Sequence, residues 1–436
     1  MSHTNNTNNR PTRVAWILNH TTLMEYEADL LQRLGCEVFV PKVIPKGLDS
    51  RTAAVTREYD KALSIPGDDL EILNNADFYS KPLSRPIQKL LNKHFDVMFL
   101  PYVFPGFYYL VRAFQGKLVV RTFGHCGHHN YQSATEHVGD LDYYLDTPTL
   151  GGRLHRKCRD WMARHSSGSD LEFKTPTMLA LYQARNRVYF GAGYENVITY
   201  EPPFFRSRAV FLPLGLPPSV TKLVDTHRGG NGKILFVCPN INDVWLYRSY
   251  YDTFKEHFSG LPYAIGGRQN MNGSLIDPPV TDPAILGYQS RDQFDKFMQE
   301  CECLFYHSRE PRHIHYHPVE AMVFGTPVVY MSGGMLEILG GPDQPGLCQS
   351  YAEARLKMER LLSGDIRLAN SIRHRQKEIA YKFSDEYCSD VWKQNFVGKV
   401  IPMSTSPENS ARSFENPVSS FENPARSFES SGRRAA

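Results

Sequence analysis

Short apolar runs alternate with helix-forming stretches over residues 233 to 331. The runs begin at Lys233, Pro262, Ala284, Cys303 and Val328. Runs of this length that lack polar residues at alternate positions are typical of strands buried on both faces of a parallel sheet. Because the intervals have the length and polarity of helices, the pattern predicts a doubly wound α/β domain.

The first half of the chain repeats this alternation. Apolar runs at Arg13–Asn19 and Glu37–Pro41 flank a helix predicted from Met24 to Leu34, which makes one strand–helix–strand unit. Further strands are predicted at Phe95–Pro101, from Lys117 into a loop at His125, and at Arg187–Phe190, Asn196–Tyr200 and Ala209–Pro213. A chain of 436 residues is too long for one ordinary core, so two such domains are expected.

Composition shifts along the chain predict the domain boundaries. Pro, Gly and charged residues cluster at 218–232, which predicts a linker. Near the C-terminus, Ser-Phe-Glu recurs every seven residues, but with one Phe per repeat and an internal Pro it cannot form a heptad seam. The expected order is a disordered N-terminus (1–11), a first Rossmann-like domain (12–217), the linker (218–232) and a second Rossmann-like domain (233–385). A helix that crosses back to the first domain (386–400) and a disordered repeat tail (401–436) are expected to follow.

The overall composition excludes some partners and favours a compartment. A net charge of +3 gives no argument for nucleic acid as a partner. The eight cysteines form no Cys-x-x-Cys pair and the N-terminus has no apolar signal segment, which favours a reducing cytoplasm. No run approaches the roughly 20 apolar residues of a membrane span. The basic amphipathic stretch 81–94 has two interpretations: peripheral contact with an anionic membrane surface or acceptor, and an ordinary solvated helix face.

The segment from His315 to Tyr330 predicts a loop, a short helix, a tight turn and a buried strand. Pro318 suits the first helical turn, and Gly325 suits the turn that ends the helix. Glu320-Ala-Met and Gly325-Thr-Pro-Val-Val resemble the Glu-Ala-Met-x-x-Gly-Thr-Pro-Val-Val segment of GT-B glycosyltransferases, especially the large retaining family 4. The resemblance implies an α/β fold in which two Rossmann-like doubly wound domains face each other across a cleft, with a nucleotide sugar as substrate, no cofactor and no metal.

The resemblance also implies the donor side of the site. In family 4 the glutamate of this segment holds the ribose hydroxyls, a role that Glu320 would inherit. Ile265-Gly266-Gly267-Arg268 resembles the glycine-rich turn that brings backbone amides to the donor, and the segment Ile285 to Tyr288 has the matching spacing. The remaining expected donor contacts are the helix start with its nearby histidines and arginines: Arg309, Arg312, His315, His317 and Pro318.

The acceptor side is expected in the first domain. The strand that leads from Lys117 into His125 resembles a family-4 strand that ends at the edge of the catalytic cleft, so the resemblance makes His125 a catalytic candidate. Arg121 and His128 are expected to contact the acceptor. Asn19 and His20 are expected there too, although polar residues in this turn are equally typical of a helix cap. The Cys and His residues of 125–129 lack the spacing of a zinc site.

The chain departs from the family pattern eight positions before Glu320, where family 4 usually has a second glutamate. Arg312 occupies that position, and the nearest acid, Glu310, becomes the catalytic candidate that addresses the donor sugar. The expected function is transfer of a sugar from a UDP-, GDP- or CMP-linked donor to a glycan or lipid-linked acceptor, in cell-surface polysaccharide or glycoconjugate synthesis. Three alternatives stay open: a transferase for CMP-linked acidic sugars, which His317-Pro318 resembles; a nucleotide-sugar epimerase; and a catalytically inactive sugar-nucleotide-binding partner.

Overall fold

Two parallel β-sheets with interleaved helices make up the fold. The computed structural model describes residues 10–18, 20–43, 59–80, 82–101, 106–124, 129–133, 176–269 and 276–401. Within these residues every strand pairs in parallel with its neighbours in the same sheet. The predicted α/β class, with two doubly wound sheets, is confirmed.

The first sheet has six strands in the described part of the chain, in the order β2-β1-β3-β4-β5-β6. They are β1 (Arg13–Trp16), β2 (Glu37–Phe39), β3 (Val97–Leu100), β4 (Lys117–Thr122), β5 (Val188–Ala192) and β6 (Ala209–Phe211). The second sheet has five described strands, in the order β11-β10-β9-β7-β8. They are β7 (Ile234–Val237), β8 (Tyr263–Gly266), β9 (Cys303–Tyr306), β10 (Val328–Met331) and β11 (Leu347–Cys348).

Helices occupy most of the intervals between these strands. In the described residues they are α1 (Thr21–Arg33), α2 (Gly67–Asn74), α3 (Arg85–His94), α4 (Phe107–Ala113), α5 (Pro176–Gln183), α6 (Pro203–Arg206), α7 (Pro218–Thr221), α8 (Trp245–Phe258), α9 (Arg291–Glu300), α10 (Tyr316–Phe324), α11 (Met335–Gly340), α12 (Tyr351–Leu362), α13 (Ile366–Tyr381) and α14 (Asp385–Trp392), with 3-10 turns at Tyr59–Ala62 and Glu195–Tyr200 and a π-helical turn at Lys393–Val400. None of the helices in these ranges is both long and apolar enough to cross a membrane.

The chain changes direction across the sheet once in each half. In the first sheet it runs from β1 to β2 on one side and then to β3 on the other. In the second sheet β7, β8 and β9 repeat that path. The carboxyl ends of the strands beside such a switch point form the crevice where doubly wound sheets bind ligands. The loops that follow β1 and β3, and those that follow β7 and β9, are therefore the places to look for a site.

Aromatic packing fixes the helices on the sheets. In the second half, Phe236 of β7 stacks on Phe254 of α8 with ring centroids 4.3 Å apart. In the first half, Phe99 of β3 stacks on Trp392 of α14 at 5.9 Å, and the indole N–H of Trp392 donates to the carbonyl of Pro213 at 2.9 Å. Helix α14, which follows the second sheet in sequence, therefore packs against the first sheet.

The segment predicted as a linker contacts the second half directly. The amides of Asp225 and His227 donate to the carbonyls of Val323 and Phe324, at 3.0 and 2.8 Å. These two bonds cap the end of α10, where Gly325 has the left-handed φ of 85° that a glycine accepts easily. The predicted turn at Gly325 is thus present.

Two strands predicted from sequence are wrong. Residues 196–200 form a 3-10 turn, in which the Thr199 hydroxyl donates to the Asn196 carbonyl at 2.7 Å. Residues 284–286 form a single parallel bridge, between Ile285 and Ile265, with backbone hydrogen bonds of 2.8 and 2.9 Å to Ile265, while the Asp282 carboxylate accepts from the Ala284 amide at 2.9 Å. In the first segment a local side-chain hydrogen bond replaces the ladder that apolar content predicted, and in the second the ladder is limited to one bridge.

Candidate active site

The loop after β9 connects the carboxyl edge of the second sheet to the first sheet. His313 forms an antiparallel bridge with Gly124, and its Nδ1 lies 3.2 Å from the Phe123 carbonyl. Gly124 has a φ of 104°, and a Cβ at this position would lie 2.2 Å from the carbonyl oxygen of Arg312. Only glycine permits this backbone approach, so the contact between the two halves depends on residue 124.

Two side chains from the turn after β5 hold the same loop. The Asn196 amide donates to the carbonyl of Pro311 at 2.7 Å, and the Tyr194 hydroxyl donates to the carbonyl of Ile314 at 3.4 Å. Together with the bridge at Gly124, these bonds fix residues 311–314 against two loops of the first sheet. The carboxyl edges of both sheets therefore meet at this loop.

Histidines gather on the second-sheet side of that meeting point. The ring centroids of His313 and His315 are 4.9 Å apart, and those of His315 and His317 are 5.5 Å apart. The Tyr306 hydroxyl lies 3.3 Å from Nδ1 of His315 and its ring 5.5 Å from His317. These histidines occupy alternate positions in the sequence, and the structure brings all three rings together.

Several polar atoms in this cluster have no partner among the described residues. Both ring nitrogens of His307, Nε2 of His317 and the Tyr316 hydroxyl are shielded from water and unpaired there. Burial lowers the pKa of His307 to about 3, with the positive charge on His315 as a second cause. Burial, followed by the charges on His315 and His307, also lowers the pKa of His317 well below its ordinary value. Both rings are neutral at pH 7, so each presents one N–H donor and one acceptor nitrogen.

Glu310 is held by the arginine that replaces the family's usual glutamate. Arg312 donates to its carboxylate through Nε at 2.7 Å, a terminal guanidinium nitrogen at 3.0 Å and the backbone amide at 3.0 Å. Both carboxylate oxygens of Glu310 are occupied. The predicted catalytic acid is therefore oriented and neutralised by Arg312 in this conformation, and any role as a base requires that pair to open.

Glu320 is buried and has a partner that the sequence did not reveal. It lies on α10 with 3% of its surface exposed, and a guanidinium nitrogen of Arg291 on α9 donates to its Oε1 at 2.9 Å. Burial raises the pKa of Glu320, while the charge of Arg291 opposes the shift. Arg291 also donates to Asp295 at 2.9 Å. The pair stabilises the contact between α9 and α10, and this packing role stands beside the expected ribose role.

Comparison with known proteins agrees with this architecture at the level of fold. No protein-family model matches the chain, and a search of curated proteins finds no match. A glycosyltransferase from Rickettsia africae ESF-5 has a similar structure, with a TM-score of 0.54, 10% identity, and coverage of 91% of this chain and all of that one. The fold is GT-B. A sucrose-phosphate synthase from Thermosynechococcus elongatus has a TM-score of 0.50 at 11% identity, covering 89% of this chain and all of the other.

The glycine-rich turn of the GT-B second half is explained by packing. Gly267 has a φ of 109°, and a Cβ there would lie 2.9 Å from the backbone nitrogen of Pro239. A Cβ at Gly266 would lie 2.8 Å from the ring of Phe294. The turn thus packs against the loop after β7 whether or not a ligand is bound. The other two expected donor contacts here face solvent: Tyr288 is 77% exposed, and the Arg268 side chain is also exposed.

The residues expected to contact the acceptor have different surroundings. His20 caps α1, because its Nδ1 accepts from the Leu23 amide at 3.2 Å, and its ring lies 6.0 Å from that of Tyr316 across the two halves. Arg121 is fully buried and paired with Glu27 at 2.7 Å, so it contacts no acceptor in this structure. Pro318 is the third residue of α10, which begins at Tyr316. Asn19, His125 and His128 lie outside the described residues.

Sequence reasoning missed His307, although a signal for it existed. The residue directly follows a buried strand of a parallel sheet, where ligand-binding side chains concentrate. Tyr194 and Asn196 carried no comparable signal, because their contacts reach more than 100 positions along the chain. In the described parts of the chain, no group of three or more His, Cys, Asp or Glu side chains is arranged to hold a metal ion.

Proposed function

We propose that this protein is a glycosyltransferase that moves a sugar from a nucleotide-sugar donor to a hydroxyl of a glycan or lipid-linked acceptor. The observation that carries the proposal is the pair of neutral rings of His307 and His317 beside the switch point of the second GT-B sheet, whose buried nitrogens lack partners among the described residues. Buried polar atoms are normally paired, so these two rings are suited to a ligand rich in hydroxyls. We further propose that the activity serves cell-surface polysaccharide or glycoconjugate synthesis in the cytoplasm.

The leaving phosphate needs positive charge and N–H donors, because glycosyl transfer develops an oxocarbenium-like sugar and an anionic leaving group. Arg309 is exposed and makes no ion pair with a described residue. No side chain caps the start of α10, so the backbone N–H groups of Tyr316 and His317 have no side-chain cap; Pro318, the next residue, has no N–H. Arg309 and these amides are our candidates to hold the phosphate of a UDP-, GDP- or CMP-linked donor.

Glu320 is our candidate for the ribose hydroxyls. Arg291 donates to its carboxylate at 2.9 Å and so fixes the orientation of the two carboxylate oxygens. These oxygens can accept hydrogen bonds from the ribose hydroxyls. On the acceptor side, our candidate is His20, whose ring lies 6.0 Å from that of Tyr316 on α10, while His125 and His128 stay predictions. Closure of the two halves over the donor would exclude water from the reacting centre.

The proposal is tested by thermal unfolding in the presence of UDP, GDP, ADP and CMP and then of their sugar conjugates. At a hundredfold excess over its Kd, a ligand that binds only the folded state adds about 2.7 kcal/mol to the stability. We expect one nucleotide to raise the unfolding temperature, and the rise to shrink in Glu320→Gln but not in Glu256→Gln, which changes an exposed carboxylate on α8.

Three outcomes would distinguish the alternatives. If no nucleotide raises the unfolding temperature, the donor site is wrong. Turnover of a nucleotide sugar without any acceptor would identify an epimerase. Stabilisation by a nucleotide without release of nucleotide from any donor and acceptor would identify an inactive binding partner.

A further inference from the structure

A pocket of about 350 Å³ opens beside His307, between α8 and α12. Three of its residues, His307, Arg309 and Glu310, follow β9 at the carboxyl edge of the second sheet. Tyr250 and Thr253 line it from α8, and Tyr351 lines it from the start of α12. Its volume lies within the range of sites that bind small molecules, which begins at roughly 300 Å³.

His307 is held in this pocket by packing and not by hydrogen bonds. Its ring lies 4.0 Å from that of Tyr250 and 5.4 Å, edge on, from that of Phe236. Both of its nitrogens are shielded from water, and neither has a partner among the described residues. A buried polar group without a partner destabilises a protein, so the ring is suited to a ligand that brings both a donor and an acceptor. A hydroxyl group can donate or accept, so a ligand with several hydroxyls is suited to this ring.

The charges and rings around His307 narrow the class of ligand. Arg312 neutralises Glu310, which leaves Arg309 as the remaining charge in the lining. The Arg309 guanidinium lies 5.5 Å from the centre of the Tyr351 ring, and the ring of His257 stacks on that of Tyr351 at 4.2 Å. A polyphosphate would need more positive charge, and a purely apolar ligand would leave His307 unpaired. Fixed aromatic faces together with a neutral imidazole suit a sugar ring, whose hydroxyls bond and whose C–H faces pack.

We propose that this pocket receives the glycosyl group of the donor and that His307 hydrogen-bonds a hydroxyl of that sugar, which makes His307 a specificity-determining residue. The inference rests on the proposed donor function and adds to it the position of the sugar. It places the sugar between α8 and α12, and it assigns the choice of donor to a residue directly after β9.

Calorimetric binding tests the proposal with UDP, GDP, ADP and CMP, each paired with a conjugate: UDP-glucose, GDP-mannose, ADP-glucose and CMP-sialic acid. For the pair that binds the wild type, His307→Phe should raise the Kd of the conjugate about tenfold, the loss expected when a ligand leaves a polar group unpaired. The Kd of the nucleotide alone should stay within about twofold, since the nucleotide lacks the group that His307 binds. His374→Gln changes an exposed histidine on α13 and should alter neither constant.

Thr253→Val provides a second variant of nearly unchanged volume, in case His307→Phe does not fold. This variant should raise the Kd of the conjugate by a smaller factor and leave the Kd of the nucleotide unchanged. An equal loss of affinity for conjugate and nucleotide in both variants would place the base or phosphate in the pocket and overturn the inference. Unchanged affinity for the conjugate in both variants would also overturn it. So would a wild type that binds a nucleotide but none of the conjugates. A wild type that binds no nucleotide at all would remove the proposed function itself.

Discussion

The two sheets order their first five described strands in the same way but differ in the pairing of particular buried polar groups. In the first half, the fully buried Glu27 and Arg121 pair at 2.7 Å. Trp16 donates to Glu27 at 3.1 Å, and Arg121 donates to the Gly191 carbonyl at 3.0 Å. In the second half, His307 and His317 keep unpaired ring nitrogens among the described residues. The Glu27–Arg121 pair stabilises the first half, whereas our proposal assigns the unpaired ring nitrogens of the second half to a ligand.

The largest expected effect comes from breaking the ion pair of the first sheet. Arg121→Met removes the cation and leaves the Glu27 carboxylate buried without its partner, which typically destabilises a protein by about 3–5 kcal/mol. Urea unfolding measures the loss. The double variant Glu27→Gln with Arg121→Met removes both charges and should recover much of the stability. If the single variant unfolds within about 1 kcal/mol of wild type, the pair does not have the structural role assigned to it.

The next largest effect concerns the contact between the halves at Gly124. Gly124→Ala would place a methyl group against the Arg312 carbonyl, and we expect a loss of about 1–3 kcal/mol. Gly230→Ala is the matched control, because Gly230 has a similar φ of 96° but no atom within 4 Å of the place where its Cβ would lie. The difference in unfolding free energy between the two variants isolates the contact with the loop after β9. Equal losses would show that backbone strain alone accounts for the effect.

A smaller effect is expected from pH, and it concerns the second sheet. The pKa of His307 is lowered by burial to about 3, so the unfolded chain takes up a proton near pH 6.5 that the folded chain refuses. Stability is therefore retained above pH 6.5 and falls as the pH drops towards 3. Between pH 7 and 5.5, wild type should lose about 1 kcal/mol more than His307→Phe. His374→Gln, on the surface of α13, should follow wild type. An identical pH profile for wild type and His307→Phe would contradict the buried, neutral state.

The sequence predicted the elements whose formation depends on local pattern. The apolar run that begins at Cys303 is a strand, and the helix predicted from Met24 to Leu34 is present from Thr21 to Arg33. Residues 196–200 have similar apolar character, but a local hydrogen bond to Asn196 accompanies a turn there, and composition does not report it.

The site was less predictable than the fold, because its contacts join residues that are distant in sequence. The bonds between Arg121 and Glu27, and between Arg291 and Glu320, connect residues 94 and 29 positions apart. Without those partners in view, Arg121 resembled an acceptor contact. The alternation of His313, His315 and His317 is local, and the three rings do lie together; a ligand site shared by them stays a prediction.

A crystal structure of the protein with the nucleotide that most raises its unfolding temperature tests the central claim most directly. We predict that the nucleotide lies at the carboxyl edge of the second sheet, within hydrogen-bonding distance of the loop after β9 or the start of α10. A nucleotide bound instead to the loops after β1 and β4, with residues 307–317 empty, would contradict the division of roles between the two sheets.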